Sequence, residues 1–106
     1  MPAKSRLEQI EELLAQDPDD AFLRYGLAME YVSRGDDEQA VRCFRDLLSV
    51  AGSYVPAYLQ LGQALVRLGR TGEARDTFAE GIRVARKEGD AHAAEEMQGF
   101  AEGLSL

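Results

Sequence analysis

Apolar residues recur every three to four positions along the whole chain, which is the spacing of one face of an α-helix. Leu7, Ile10, Leu13 and Leu14 show this spacing at the start, and no stretch alternates residue by residue as a half-buried strand does. Turn-forming residues interrupt the pattern at Asp17-Pro18, Gly35, Gly52, Gly69 and Gly89. We therefore predict six helices and no strand.

Residues that favour helix starts precede or open most of these segments. Ser5 followed by Glu8 is a capping box, in which the serine side chain accepts a hydrogen bond from the backbone of the first turn. The predicted caps and first-turn residues, in chain order, are Ser5, Asp19 or Asp20, Asp36, Pro56, Thr71 and Asp90. Their positions predict helices separated by short turns.

The helical pattern repeats itself with a period of 34 residues. Gly35, Ala40 and Phe44 recur as Gly69, Ala74 and Phe78. A fixed period of about 20–50 residues is typical of stacked supersecondary units. We predict two such units, residues 21–54 and 55–88, each made of two helices. Stacked units build extended surfaces on which other molecules dock.

Two glycines lie in the middle of predicted helices. Gly62 and Gly81 each cost ~1 kcal/mol relative to alanine at such positions. That cost indicates that helices cross closely there, and we expect Phe44 and Phe78 to fill the space that the small residues leave.

Composition narrows the classes of partner. Twelve basic and nineteen acidic residues give a formal net charge of −7, which disfavours binding to the phosphates of nucleic acid. The single cysteine, Cys43, builds no disulfide framework and fits a reducing compartment. No apolar run approaches the ~18–20 residues that cross a bilayer, and the N-terminus lacks the apolar stretch of a secretory signal. We expect a cytoplasmic protein that binds neither nucleic acid nor membrane.

The repeat resembles the tetratricopeptide repeat (TPR), a 34-residue unit of two helices. The second unit carries the resemblance with Tyr58, Leu61, Gly62, Leu65, Gly69, Ala74, Phe78 and Gly81. The first unit departs from the family pattern at Arg24 and Leu47. The resemblance implies an all-α fold, a right-handed superhelical array of antiparallel helix pairs in one domain spanning 1–106. Two full units would be flanked by an N-terminal helix within 5–18 and a C-terminal capping helix within 90–104.

The resemblance also implies which residues face the concave side of the array. In TPR proteins the first helix of each unit lines that side. The implied partner-binding residues are Phe22, Tyr25, Met29, Val32, Leu59, Gln63, Val66 and Arg67, with Met97 and Phe100 added by the last helix. Such an apolar groove suits an apolar or amphipathic segment of a protein or peptide partner. The expected function is a non-enzymatic protein–protein interaction module.

Two other interpretations stay open at this stage. The same groove, or the charged ends, would build a structural homo-oligomer, and the sixth helix would otherwise fill the groove itself. An enzyme lacks a supporting constellation, because His92 is the only histidine and Cys43 the only cysteine. We therefore expect no catalytic residue, no metal and no cofactor.

Overall fold

Six α-helices occupy residues 3–104, the part of the chain that the computed structural model describes. The predicted domain, 1–106, extends two residues beyond this part at each end. The helices are α1 (Arg6–Gln16), α2 (Ala21–Ser33), α3 (Asp37–Val50), α4 (Val55–Arg67), α5 (Thr71–Lys87) and α6 (Ala91–Glu102). Residues 3–104 contain no strand, as predicted.

The helices pack mainly on their neighbours in sequence. Helices α2 and α3 form one pair, and α4 and α5 form the next. Helix α6 packs on α5 and also contacts α4, whereas α1 packs on α2. The result is an elongated stack measuring 49 × 28 × 20 Å, with the core running along its long axis.

Three turns of the stack share one geometry. Gly35, Gly69 and Gly89 have φ of 74°, 76° and 77°, a left-handed conformation that glycine adopts without steric cost. After the first of them, the Asp36 N–H donates to the Tyr31 carbonyl at 3.0 Å, and the Arg70 and Asp90 N–H groups make the equivalent bonds. This is the Schellman arrangement that satisfies the last carbonyls of a helix.

Most of the predicted caps are confirmed. The side chains of Ser5, Asp20, Asp36 and Asp90 each accept a hydrogen bond from the backbone N–H three residues later. The prediction for Thr71 is wrong, because Thr71 is the first helical residue of α5. Arg70 holds the cap position, 34 residues after Asp36, and its side chain makes no capping bond. The second unit thus keeps the turn of the first but lacks its cap.

The two mid-helix glycines lie where side chains of other helices press against the backbone. A Cβ atom placed on Gly62 would lie 2.5 Å from Cζ of Phe78. One placed on Gly81 would lie 2.5 Å from Sδ of Met97 and 2.6 Å from Cβ of Tyr58. Both glycines therefore serve close packing, and Phe78 fills the space beside Gly62 as predicted.

The helix repeat lengthens before α6, and this shift overturns one predicted site residue. The N-caps of α2 and α4, Asp20 and Tyr54, are 34 residues apart, whereas Tyr54 and Asp90 are 36 apart. Helix α5 has 17 residues and α3 has 14, so α6 starts two residues late. Met97 therefore takes the place that Leu61 has in α4, is fully buried, and packs on Gly81. The prediction that Met97 faces a partner is wrong, because Met97 is a core residue.

Candidate functional site

Helix α2 borders the first of two depressions to which the predicted site residues contribute. We call it the α2 depression. It measures about 480 Å³ and is lined by Arg6, Phe22, Tyr25, Gly26, Met29, Glu30 and Ser33. Three of the predicted residues, Phe22, Tyr25 and Met29, therefore lie together.

The two aromatic side chains of the α2 depression play different parts. The Tyr25 ring packs on Phe44 and Tyr54, with centroid distances of 6.0 and 5.3 Å. Burial raises the pKa of Tyr25, and neighbouring Tyr54 raises it further. Phe22 is 75% exposed, the largest exposure among the big apolar side chains of residues 3–104. Tyr25 thus forms a fixed wall, while Phe22 offers an apolar ring to solvent.

The second depression lies between α4 and α6, and we call it the α6 depression. It measures about 470 Å³ and is lined by Gln63, Val66, Arg67, Phe78, Gly99, Phe100, Gly103 and Leu104. Phe100 stacks on the core ring of Phe78, with centroids 5.9 Å apart and planes 15° apart, yet it remains 41% exposed. Gly99 and Gly103 leave this depression open because they carry no side chain. Four more predicted residues, Gln63, Val66, Arg67 and Phe100, therefore lie together.

The structure does not bring the remaining two predicted residues into either depression. Val32 and Leu59 are half-buried and pack against the core. They occupy the same face of their helices as Phe22 and Val66, but their apolar surface is largely taken up within the protein.

Most charges near the depressions are paired inside the protein. Arg67 grips Asp37 of the preceding unit with two nitrogens, Nη2 at 2.9 Å and Nε at 3.1 Å. Glu30 lies 3.5 Å from Arg6 and 3.8 Å from Arg34. Arg67 was predicted as a contact for a partner, but its guanidinium primarily joins the two units.

The late start of α6 places on the groove side several residues that sequence reasoning missed. Counted from the helix cap, Glu95 and Glu102 correspond to Leu59 and Val66 of α4. Both carboxylates line a third depression of about 360 Å³, which shares Gly99 with the α6 depression. The signal for them was present in the sequence, since Asp90 is recognisable as a cap and its distance from the start of α4 reveals the shift.

The other candidate residues carry no reactive arrangement within residues 3–104. Burial, with a smaller contribution from Asp46, raises the pKa of the Cys43 thiol to about 11, so the thiol is protonated at neutral pH. No group of three or more histidine, cysteine, aspartate or glutamate side chains in this range is arranged to hold a metal ion. None of the six helices is long and apolar enough to cross a membrane.

Comparisons with known proteins identify the family. Sequence models described as tetratricopeptide repeat match residues 20–50 and 55–88. The chain is 32% identical over 98 residues to the TPR repeat-containing protein PA0015 of Pseudomonas aeruginosa, covering 92% of this chain and 93% of that protein.

Solved structures agree with the sequence matches. A tetratricopeptide repeat domain protein from Salinibacter ruber superposes with a TM-score of 0.76 at 41% identity, covering 83% of this chain and 92% of that one. Protein BPP2914 from Bordetella parapertussis superposes with a TM-score of 0.83 at 28% identity, covering 94% and 87%. The all-α superhelical array is thereby confirmed, and the chain belongs to the tetratricopeptide repeat family.

Proposed function

We propose that this protein is a non-catalytic interaction module that docks an apolar or amphipathic segment of a partner protein across the α2 and α6 depressions. Tetratricopeptide repeats form scaffolds for protein–protein interaction, and proteins of this family are generally not enzymes. A cytoplasmic location, suggested by the single cysteine, belongs to the same proposal.

The observation that carries the proposal is the pairing of exposed apolar side chains with adjoining cavities. Phe22 stands 75% exposed beside the α2 depression, and Val66 and Phe100 are 40% and 41% exposed beside the α6 depression. Apolar groups next to a concave surface are a common mark of a binding site. Burying one such side chain completely against a partner is worth about 1.5–3 kcal/mol.

Exchange of Phe22 and Val66 for glutamate tests the proposal. Both side chains are exposed, so the double variant Phe22→Glu/Val66→Glu retains its helices, as circular dichroism will verify. It should lose partner binding by about two orders of magnitude or more, because two apolar contacts become buried charges. The matched control is Leu13→Glu/Val50→Glu, which changes two side chains of 51% and 46% exposure that line neither depression.

The measurement is quantitative capture from the native cell extract with both variants and the unaltered protein. Proteins retained by the unaltered chain and the control, and lost from the Phe22/Val66 variant, bind at the depressions. Equal capture by the two double variants would place the binding surface elsewhere.

Self-assembly through the same depressions is the second candidate. Contact between the ends of two copies brings like charges together, because α1 contributes Glu8, Glu11 and Glu12 against Arg6, and α6 contributes Glu95, Glu96 and Glu102. Light scattering at high micromolar concentration separates the candidates. A monomer supports the docking of a different protein, and an oligomer dispersed by the Phe22/Val66 exchange supports self-assembly.

A further inference from the structure

We infer that the docked segment is an amphipathic α-helix with two apolar anchors about three turns apart and basic residues beside the anchor that enters the α6 depression. This inference rests on the proposed function, because it names the chemistry of the partner that the same two depressions accept.

The state of the polar groups around the depressions favours a helix over an extended segment. An extended segment needs partners for its own backbone N–H and C=O groups, whereas a helix satisfies most of them internally. Here Arg67 is held by Asp37, and Arg6 faces Glu30. Ser33 Oγ donates to the Glu30 carbonyl at 2.9 Å. The groups that would pair with an extended backbone are thus largely occupied.

The placement of the two depressions sets the spacing of the anchors. The α2 depression lies on the first inner helix, and the α6 depression lies between the second and third. Neighbouring helix axes are about 8–10 Å apart, so one and a half such steps separate the depressions by about 15 Å. A helix rises about 1.5 Å per residue, so anchors at positions i and i+11 span this distance on one face.

Charge decides the character of the flank. Helix α6 carries Glu95, Glu96 and Glu102 and no lysine or arginine. Among residues 3–104 none of these three carboxylates forms an ion pair. Glu95 and Glu102 line the third depression with one cation, Arg86, next to the α6 depression. At the opposite end of the groove, Arg6 and Arg34 already balance Glu30.

The groove is therefore electrostatically polar, neutral near α2 and negative near α6. A partner complementary to it is basic at the end that lies over α6, and this contact also fixes the direction in which the partner helix binds. The net charge of −7 on the whole chain draws a basic segment toward the protein.

The test uses three synthetic peptides of equal length and the full chain. The first is a helical peptide with leucine anchors at i and i+11 and four lysines around the second anchor. The second replaces those lysines with glutamates, and the third carries the residues of the first in an order with central prolines that prevents a helix. Binding is followed by fluorescence anisotropy, and the contact site by amide chemical shifts of Phe22, Val66 and Phe100.

Two protein variants remove equal charge from different places. Glu95→Gln/Glu102→Gln neutralises the carboxylates beside the α6 depression, and Glu8→Gln/Glu11→Gln neutralises two on α1 that line neither depression. The first peptide should bind the unaltered chain at least tenfold more tightly than the other two. The Glu95/Glu102 exchange should cost it about tenfold and flatten its salt dependence, while the α1 exchange costs less than threefold.

The outcomes separate this inference from the proposed function. If all three peptides shift the amides around the depressions with equal affinity, or if both charge variants weaken binding equally, the helical basic partner is wrong and docking at the groove stands. If no peptide shifts those amides, both proposals fall.

Discussion

Adding a single methyl group at Gly62 tests the packing that holds the two helices of the second unit together. In Gly62→Ala, the new Cβ would lie 2.5 Å from Cζ of Phe78. Ordinary carbon–carbon contact is about 3.5–4.0 Å, so the overlap is on the order of 1 Å. Phe78 is fully buried and stacked against Phe100, so its ring cannot retreat without disturbing a second helix.

Two opposing effects determine the magnitude. Alanine is better than glycine in a helix interior by about 1 kcal/mol, which stabilises the variant. Overpacking in a well-filled core costs about 1–3 kcal/mol, and an overlap with an immobile ring belongs at the upper end. We expect Gly62→Ala to lower the free energy of unfolding by about 1–2 kcal/mol in all.

The matched control is Gly99→Ala in α6. Gly99 is also inside a helix, but a Cβ placed there meets no atom within 4 Å. Its exchange gains the helix preference without the overlap and should raise stability by about 0.5–1 kcal/mol. Urea unfolding followed by circular dichroism should therefore separate the two variants by about 2–3 kcal/mol, or roughly 8–20 °C in Tm.

The reasoning fails if Gly62→Ala is as stable as the unaltered protein. A second variant shows that the ring is the cause. Phe78→Leu removes the atoms that overlap, so Gly62→Ala should be less harmful in that background than alone. Equal destabilisation in both backgrounds would trace the effect to something other than the Phe78 contact.

Two further predictions concern a helix cap and the lone thiol. Asp90→Ala removes the side chain that accepts the Ala93 N–H at 3.0 Å and should cost about 1 kcal/mol in unfolding free energy, whereas Thr71→Ala, which removes no capping bond, should change stability by less than half as much. Equal effects in urea unfolding would contradict the assignment of the caps. Cys43, with a pKa of about 11, should react with iodoacetamide at pH 8 about two orders of magnitude more slowly than a free cysteine, which has a pKa of about 8.5, and its rate should keep rising until about pH 11. The urea-unfolded protein is the control, and a folded rate that levels off near pH 8.5 would refute the buried-thiol assignment.

The features that depend on short stretches of sequence could be predicted. The caps at Ser5, Asp36 and Asp90 and the glycine turns each need only a few neighbouring residues. The close packing at Gly62 was also predictable, because glycine in the middle of a helix is costly and indicates a steric requirement. These features, with the 34-residue period, were enough to identify the fold.

The parts that escaped prediction depend on helix length and on distant pairs. Three more residues in α5 than in α3, and a cap two residues late, rotate α6 so that Met97 turns inward and Glu95 and Glu102 turn toward the groove. The strict period conceals that shift. The pairing of Arg67 with Asp37 joins residues of two units, and no local pattern foretells which charged groups meet across such a distance.

Helix α1 gives the array a weak end. It contains no fully buried residue, contributes none to the core, and packs chiefly on α2. Its separation from the stack therefore exposes less apolar surface than the loss of any other helix, so its amides should exchange with solvent hydrogen first. Because Arg6 of α1 lines the α2 depression, each such opening also removes one wall of that depression. The α6 depression keeps all its walls, so the two halves of the groove differ in permanence: a partner finds one anchor site always formed and completes the other as it binds.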